Sequence, residues 1–296
     1  MKRALVIGDT ILDEYVYGTI DRVNPEAPYC VVLDAVSSEF RLGGACNVAC
    51  NIKSIQDSFT KDGIEVTFHG AKSSFIDGML CDQGINPSHY ICSHKEILTK
   101  TRFVNNNHQI MRLDRGKQYD IDRSSFNQIF RDLELFDVIV LSDYNKGTIN
   151  PELVKKVLES GKMVFLDLKK RANLGFDKKT KRYKNLIIKC NRKEFEEEVK
   201  NSGLIEKCLA VIETRGKDPF CIHQYREEDI LHTKPMDEDD LVVDVVGAGD
   251  TFLAGMIVEY LDQDSDFSLL NLASVGNHFS SIKVRYFGTK AIGVLN

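Results

Sequence analysis

Apolar residues recur along this chain in short unbroken runs, each closed by a polar or glycine-containing turn. The runs are ALVIGD (4–9), VTFHGA (66–71), VIVLSDY (138–144), MVFLDLK (163–169), LIIKCN (186–191), LAVIETRG (209–216) and LVVDVVGAGD (241–250). Without strict period-2 alternation, such runs predict strands buried on both faces of a parallel sheet. Helical patterns lie between them at 151–160, 192–200 and 251–262. The first opens with Pro151, a residue suited to the first helical position. Strand alternating with helix predicts a layered α/β fold with right-handed crossovers. Two regions break the rhythm. Residues 14–42 are rich in tyrosine, valine and turn residues, and residues 97–113 alternate like a hairpin around Asn105, Asn106 and Asn107. Both are expected to be strands of a small secondary sheet, a lid over one end of the main one. No internal repeat or low-complexity linker divides the chain, so residues 1–296 are expected to form a single domain.

Composition narrows the function. The 296 residues are 43% hydrophobic, enough for a sizeable core. The formal net charge is −5. That balance does not favour nucleic-acid binding, which usually shows as a basic excess or stripe. The one basic run, DKKTKRYK (177–184), reads first as a solvated loop. No stretch approaches the ~20 apolar residues of a membrane span. Only four apolar residues separate the initial cations from Gly8, too few for a signal segment. The eight cysteines (30, 46, 50, 81, 92, 190, 208 and 221) include no C-x-x-C pair. They are expected to be mostly buried thiols of a soluble, cytoplasmic protein.

The chemistry collects at the strand ends. Ligands of open α/β sheets bind beyond the carboxyl ends of the strands. Here those ends carry Asp9, Asp143, Asp167, Asn191 with Glu194, Thr214 with Gly216, and Asp250. Helix capping accounts for any one of them; six on one sheet edge point to a shared cleft. In GAGDTFLAGMIVEYL an apolar stripe of helical period starts at Phe252, so a helix is expected from about Asp250 or Thr251. The amides of Gly247, Ala248 and Gly249 then converge at its positive end and form an anion site. An aspartate there would repel a phosphate, unless Asp250 deprotonates a hydroxyl that attacks a phosphoryl group held by the amides. No Walker A sequence and no protein-kinase motif set occurs. Near the start, RLGGACNVACNI places Gly43 and Gly44 before a helix whose Asn47 and Asn51 share a face. With Asp9 and Asp13, these residues suit binding of several hydroxyls.

GGACN and DVVGAGDTF resemble the two signatures of the ribokinase-like (PfkB) carbohydrate kinases, and the resemblance covers essentially the whole chain. GDTILDEYVYGTIDRVNPEAPYCVV, TKTRFV, QIMRLD and LSDYNKG are similar to the bacterial heptose-7-phosphate kinases within that family. The resemblance implies a three-layer sandwich with a mostly parallel central sheet and a small β-sheet lid. It implies ATP-dependent phosphorylation of the anomeric hydroxyl of D-glycero-D-manno-heptose 7-phosphate, with Mg2+ and, in many relatives, K+. It makes Asp250 the base and the amides of Gly247, Ala248, Gly249 and Asp250 the anion hole. Asp9, Asp13, Gly43, Gly44, Asn47 and Asp143 would hold the sugar. Lys100, Arg102, Arg112 and Lys146 are candidates for its phosphate. Asn191 and Glu194 would organise magnesium and phosphates, Glu194 through water. Thr214, Gly216 and Asn277 would border the nucleotide, and Asp244 with the Val246 carbonyl would hold a monovalent cation. A homodimer through the lid strands is expected, and, with no H-x-G-H motif present, a monofunctional kinase. The chain departs from the family pattern at Val245, at KCNRKEFE in place of T-P-N-x-x-E-F-E, at DLKK in place of D-P-K-G, and across 66–80.

Overall fold

The computed structural model describes residues 1–292 apart from 60–62, 91–96, 107, 117–122, 178, 227–229, 233–241, 264–266 and 290. The elements are β1 (Lys2–Gly8), β2 (Thr10–Asn24), β3 (Ala27–Gly44), α1 (Ala45–Phe59), β4 (Ile64–Ala71), α2 (Ser74–Asp82), β5 (Asn86–Tyr90), β6 (Leu98–Asn105) and β7 (His108–Arg115). They continue with α3 (Arg123–Asp132), β8 (Val138–Ser142), α4 (Pro151–Glu159), β9 (Met163–Asp167), β10 (Leu186–Asn191) and α5 (Arg192–Glu194). The last are β11 (Ala210–Arg215), β12 (Asp218–His223), β13 (Ile230–His232), α6 (Ala248–Asp262) and α7 (Leu269–Lys283).

Nine strands form one sheet in the order β13-β12-β11-β10-β9-β8-β1-β4-β5. It is parallel from β5 to β11, and β12 and β13 add antiparallel strands at one edge. The unbroken apolar runs are explained by burial on both faces. Ala4, Val6, Val138 and Val140 enter a core packed by α1, α6 and α7. Their neighbours Leu5, Ile7, Ile139 and Leu141 enter a second core, packed by α4. Each fully buried aliphatic side chain contributes roughly 1.5–3 kcal/mol, so strand polarity is fixed twice over. Asn150 caps α4 by accepting from the amides of Glu152 and Leu153, and Pro151 follows at its first position.

The two irregular regions form the lid, a four-stranded sheet β3-β2-β6-β7. The β2–β3 hairpin is longer than 14–42, reaching from Thr10 to Gly44. β6 and β7 turn at Asn106, whose φ is 48°; Asn107 is outside the described residues.

Two expected elements differ. The run at 241–250 makes no strand over its described part. Val242, Val243 and Val245 are exposed, because the amides of Val243 and Asp244 donate to the carbonyl of Val284 at the end of α7 instead of to a neighbouring strand. Leu241 lies outside the described residues. The helix expected over 192–200 is one α-turn followed by a π-turn over Phe195–Val199, closed by the Lys200 amide on the Phe195 carbonyl.

Candidate active site

The carboxyl ends of β1, β8, β9, β10 and β11 share one edge of the main sheet, and the N-terminus of α6 faces it. α6 begins at Ala248, earlier than the sequence suggests, because Gly247 adopts a left-handed φ of 82° that turns the chain into the helix. Asp250 therefore sits inside the first turn. The Ala248 amide bonds to the Val245 carbonyl at 3.2 Å, so Gly249 and Asp250 are left as first-turn amides with no intrahelical acceptor.

Asp250 is buried and held on both oxygens. The Tyr144 hydroxyl donates to Oδ1 at 2.5 Å and Asn47 Nδ2 donates to Oδ2 at 2.7 Å. Asn47 is itself aligned. Asn51 Nδ2 donates to its carbonyl and to its Oδ1, and the Thr251 hydroxyl donates to Asn51 Oδ1. Burial pushes the Asp250 carboxyl above the ordinary aspartate range. The two hydrogen bonds and the charge of Lys189 pull it down, while Asp167 pushes it further up. A buried carboxylate raised in this way is a stronger base than a free one and can take a proton from a hydroxyl.

Two cavities reach the neighbours of this residue. One, of about 340 Å³, brings Thr214, Gly216 and Asn277 together with Ala248 and Gly249, as the sequence suggests for a nucleotide; Phe220 and Phe252 add aromatic walls. The other, of about 290 Å³, is lined by Asn47, Arg41, Leu42 and Thr289 among others.

The remaining candidates divide by what occupies them. Asp9 is fully buried and accepts from the amides of Tyr144, Lys146 and Thr148. It braces the loop that carries Tyr144, and the Lys146 backbone is part of that brace. Asp143 accepts from the Asn145 amide and from Asn173 Nδ2, and burial raises its carboxyl to about 6. Asp13 pairs with Arg102 at 2.5 Å, both buried, and accepts from the Thr289 hydroxyl. Gly43 leaves the room this needs, since a Cβ there would stand 2.5 Å from Asp13 Oδ2. Gly44 has φ 57° and delivers the chain into α1, whose first amide, on Ala45, bonds to the Asp9 carbonyl.

Arg102 is thus committed to Asp13 and to the Tyr15 ring beneath it. The register places Arg112 opposite Arg102 and Asp114 opposite Lys100. Lys100 and Arg112 therefore share the lid face of Arg102, and Arg112 also pairs with Asp114. The Lys100 ammonium lies over the Tyr144 ring, and desolvation lowers its pKa.

Asn191 and Glu194 form a capping box. Glu194 Oε1 accepts from Lys169 Nζ at 2.5 Å and Oε2 from the Asn191 amide at 2.8 Å. Each oxygen keeps a lone pair, which can accept from a water on a magnesium ion. Asp244 accepts from the Val246 amide through Oδ1 and from the Gly288 amide through Oδ2.

Sequence reasoning gave no role to Tyr144, Lys169, Lys189 or Lys283. Lys189 pairs with Asp167 at 3.0 Å, both buried. Its ammonium stands 2.7 Å from where a Cβ on Gly249 would be. The available signal for Lys189 and Lys283 was a lysine set within a helix or strand of apolar residues.

Comparison with known proteins identifies the family. Residues 1–293 match the model of the pfkB family carbohydrate kinases. The chain is 29% identical over 316 residues to the bifunctional protein HldE of Caulobacter vibrioides, covering 98% of this chain and 62% of that protein. It thus spans about three-fifths of the length of such relatives. Among solved structures, phosphofructokinase-2 from Escherichia coli in complex with potassium superposes with a TM-score of 0.72 at 15% identity, covering 98% and 94% of the two chains. The nucleoside kinase of Methanocaldococcus jannaschii, an archaeal ribokinase-family member, gives 0.62 at 16% identity, covering 99% and 94%. Among the described residues, no helix is long and apolar enough to cross a membrane. The fold is ribokinase-like, and the chain belongs to the pfkB family of carbohydrate kinases, which transfer a phosphoryl group from ATP to a sugar.

Proposed function

We propose that this kinase phosphorylates the anomeric hydroxyl of D-glycero-D-manno-heptose 7-phosphate, giving the 1,7-bisphosphate. The observation that carries the reading is Asp250, buried in the first turn of α6 and held by Asn47 and Tyr144, with its neighbours Ala248 and Gly249 lining one cavity and Asn47 lining another. Asp250 takes the proton of the sugar hydroxyl. That oxygen forms a bond to the γ-phosphorus of ATP, the bond from this phosphorus to the β–γ bridging oxygen breaks, and ADP leaves. The first-turn amides of α6 take the charge of the moving group. Magnesium neutralises the phosphates when bound, and Glu194 is the residue to hold its water. A positive charge beside Asp244 and the Val246 carbonyl would support the turn from below.

The phosphorylated substrate is favoured by Lys100 and Arg112, which face the same side of the lid. The lid edge strand β7 is exposed at every residue, and Val31, Val36, Ile110 and Met111 are exposed large apolar residues of the lid. Pairing of two chains through these strands would cover them, and sedimentation equilibrium tests it.

The deciding experiment is ADP release on a panel of sugars, sugar phosphates and nucleosides, with Asp250→Asn as control. Heptose 7-phosphate should give the highest kcat/KM, and the variant should lose roughly 10²–10⁴-fold. A different preferred acceptor refutes the substrate, and a variant at wild-type rate refutes the base.

A further inference from the structure

Lys283 ends α7, and its side chain is fully buried. A buried ammonium is strongly disfavoured unless acceptors surround it. Lys283 Nζ donates to the Tyr286 carbonyl at 3.3 Å. The charge that stabilises it most is Asp244; Asp250 adds attraction and Arg41 opposes. Its stem runs under the anion-binding turn: Cε stands 3.5 Å from where a Cβ on Gly247 would be.

The surrounding backbone is stitched together around this side chain. The amides of Val243 and Asp244 both reach the Val284 carbonyl. Asp244 returns two bonds, from the Val246 amide at 3.0 Å and from the Gly288 amide at 2.8 Å. The segment leading into α6 and the segment leaving α7 therefore share one seam. A carboxylate and a carbonyl face that seam, and the Lys283 ammonium supplies positive charge to it.

We infer that Lys283 is a tethered cation, whose ammonium takes the place beneath Gly247 that a free monovalent cation would need and so holds the Gly247–Asp250 turn in its phosphate-binding shape. The inference rests on the kinase reading of that turn. The ammonium is bonded to the Tyr286 carbonyl and attracted by Asp244, and the tethered charge is always present because the chain itself brings it there. Catalysis by this protein then requires no added potassium or ammonium. Burial lowers the Lys283 pKa to about 8, so the group is mainly charged at neutral pH. Lys283 is a positioning residue, since Gly247 lies between it and the phosphate path.

The test compares the full chain with Lys283→Ala, which opens room for an ion, and Lys283→Met, which fills that room without charge. Turnover and ATP affinity are measured in tetramethylammonium buffer with and without potassium or methylammonium, and folding is checked by thermal denaturation. Wild type should be indifferent to the added cation. Lys283→Ala should lose roughly tenfold or more, less than a lost anion-hole donor costs, and recover with potassium or methylammonium. Lys283→Met should lose as much and not recover. A wild-type enzyme that needs potassium, folded variants with undiminished ATP affinity and rate, or a folded Ala variant that no cation rescues would each overturn the inference. If no acceptor on the panel is turned over, the substrate reading fails, and the cation dependence of ATP affinity still decides the role of Lys283.

Discussion

Tyr144→Phe removes one oxygen from the site and tests how the chain sets the basicity of Asp250. The ring itself should stay in place. The Tyr144 amide remains bonded to Asp9, and Lys100 and Lys169 still lie over the ring at 5.2 and 5.8 Å. What is lost is the 2.5 Å hydrogen bond to Asp250 Oδ1. Burial already raises this carboxyl, and Tyr144 is the first of the groups that lower it. A hydrogen bond to a charged group is worth about 1.5–3 kcal/mol, and one pKa unit is about 1.4 kcal/mol. Without the phenol, one hydrogen bond fewer opposes burial and the Asp250 carboxyl is pushed further up. A base works only when ionised, so the acid limb of the kcat/KM–pH profile should move to higher pH by about 1–2 units, the hydrogen-bond energy expressed as a pH shift. The plateau above it should stay within a few-fold of wild type. The assay is ADP release at low sugar concentration across both limbs. An acid limb that does not move, with a uniformly lower plateau, would refute the argument and make Tyr144 a group that only orients.

Three further outcomes follow from the same geometry. Arg102→Met should cost roughly 3–5 kcal/mol in urea denaturation by leaving Asp13 buried and unpaired, while Arg102→Met with Asp13→Leu should recover most of it; an undiminished single variant refutes the buried pair. Lys100→Met should raise the KM for a phosphorylated sugar by roughly 10-fold or more and leave the KM for ATP unchanged, since one lost charge-assisted hydrogen bond is worth about 1.5–3 kcal/mol; equal effects on both substrates would remove Lys100 from the sugar side. Lys189→Met with Asp167→Leu should keep the stability of the free protein near wild type, yet shrink the stabilisation by ATP, which for wild type is about 2.7 kcal/mol at a hundred times its Kd; thermal shifts with and without ATP read this, and an unchanged ATP shift refutes a role for Lys189 at the phosphates.

The fold was legible wherever both faces of a strand are buried. Leu5 and Ile7 face one core and Ala4 and Val6 the other, so β1 had to read as an unbroken apolar run. The same rule misled at 241–250, where Val242 and Val243 are apolar but lie on the surface, tied to Val284 through the backbone. β12 was missed because its Asp-Pro start reads as a turn and its strand pairs antiparallel. In the site, the glycine turn and the strand-end carboxylates could be read because local backbone geometry demands them. The partners could not. Asn47 meets Asp250 across 203 residues, and Asp13 meets Arg102 across 89. No local pattern encodes such pairs, so the sequence did not show that Asp9 also braces a loop and Asp13 also holds an arginine.

Two buried lysines stand around the turn at the start of α6. The N-terminus of α6 already carries about half a positive charge. Lys189 lies against Gly249 on one side of it and Lys283 passes beneath Gly247 on the other. Positive groups gathered around a positive helix end repel one another. Asp167 answers Lys189 directly, and Asp244 is the strongest attraction on Lys283, but neither carboxylate lies on the nucleotide side with Ala248 and Gly249. Among the described residues, that cavity is lined by Arg215 and Lys217 against the single carboxylate of Asp218, a balance that suits a polyphosphate. Asp250 points the other way, toward Asn47 and Tyr144, so the repulsion that made an acid beside a phosphate turn seem out of place acts on the far side of the reacting oxygen. In the proposed reaction the base then stands on the Asn47 side of the transfer and the Gly249 amide on the nucleotide side.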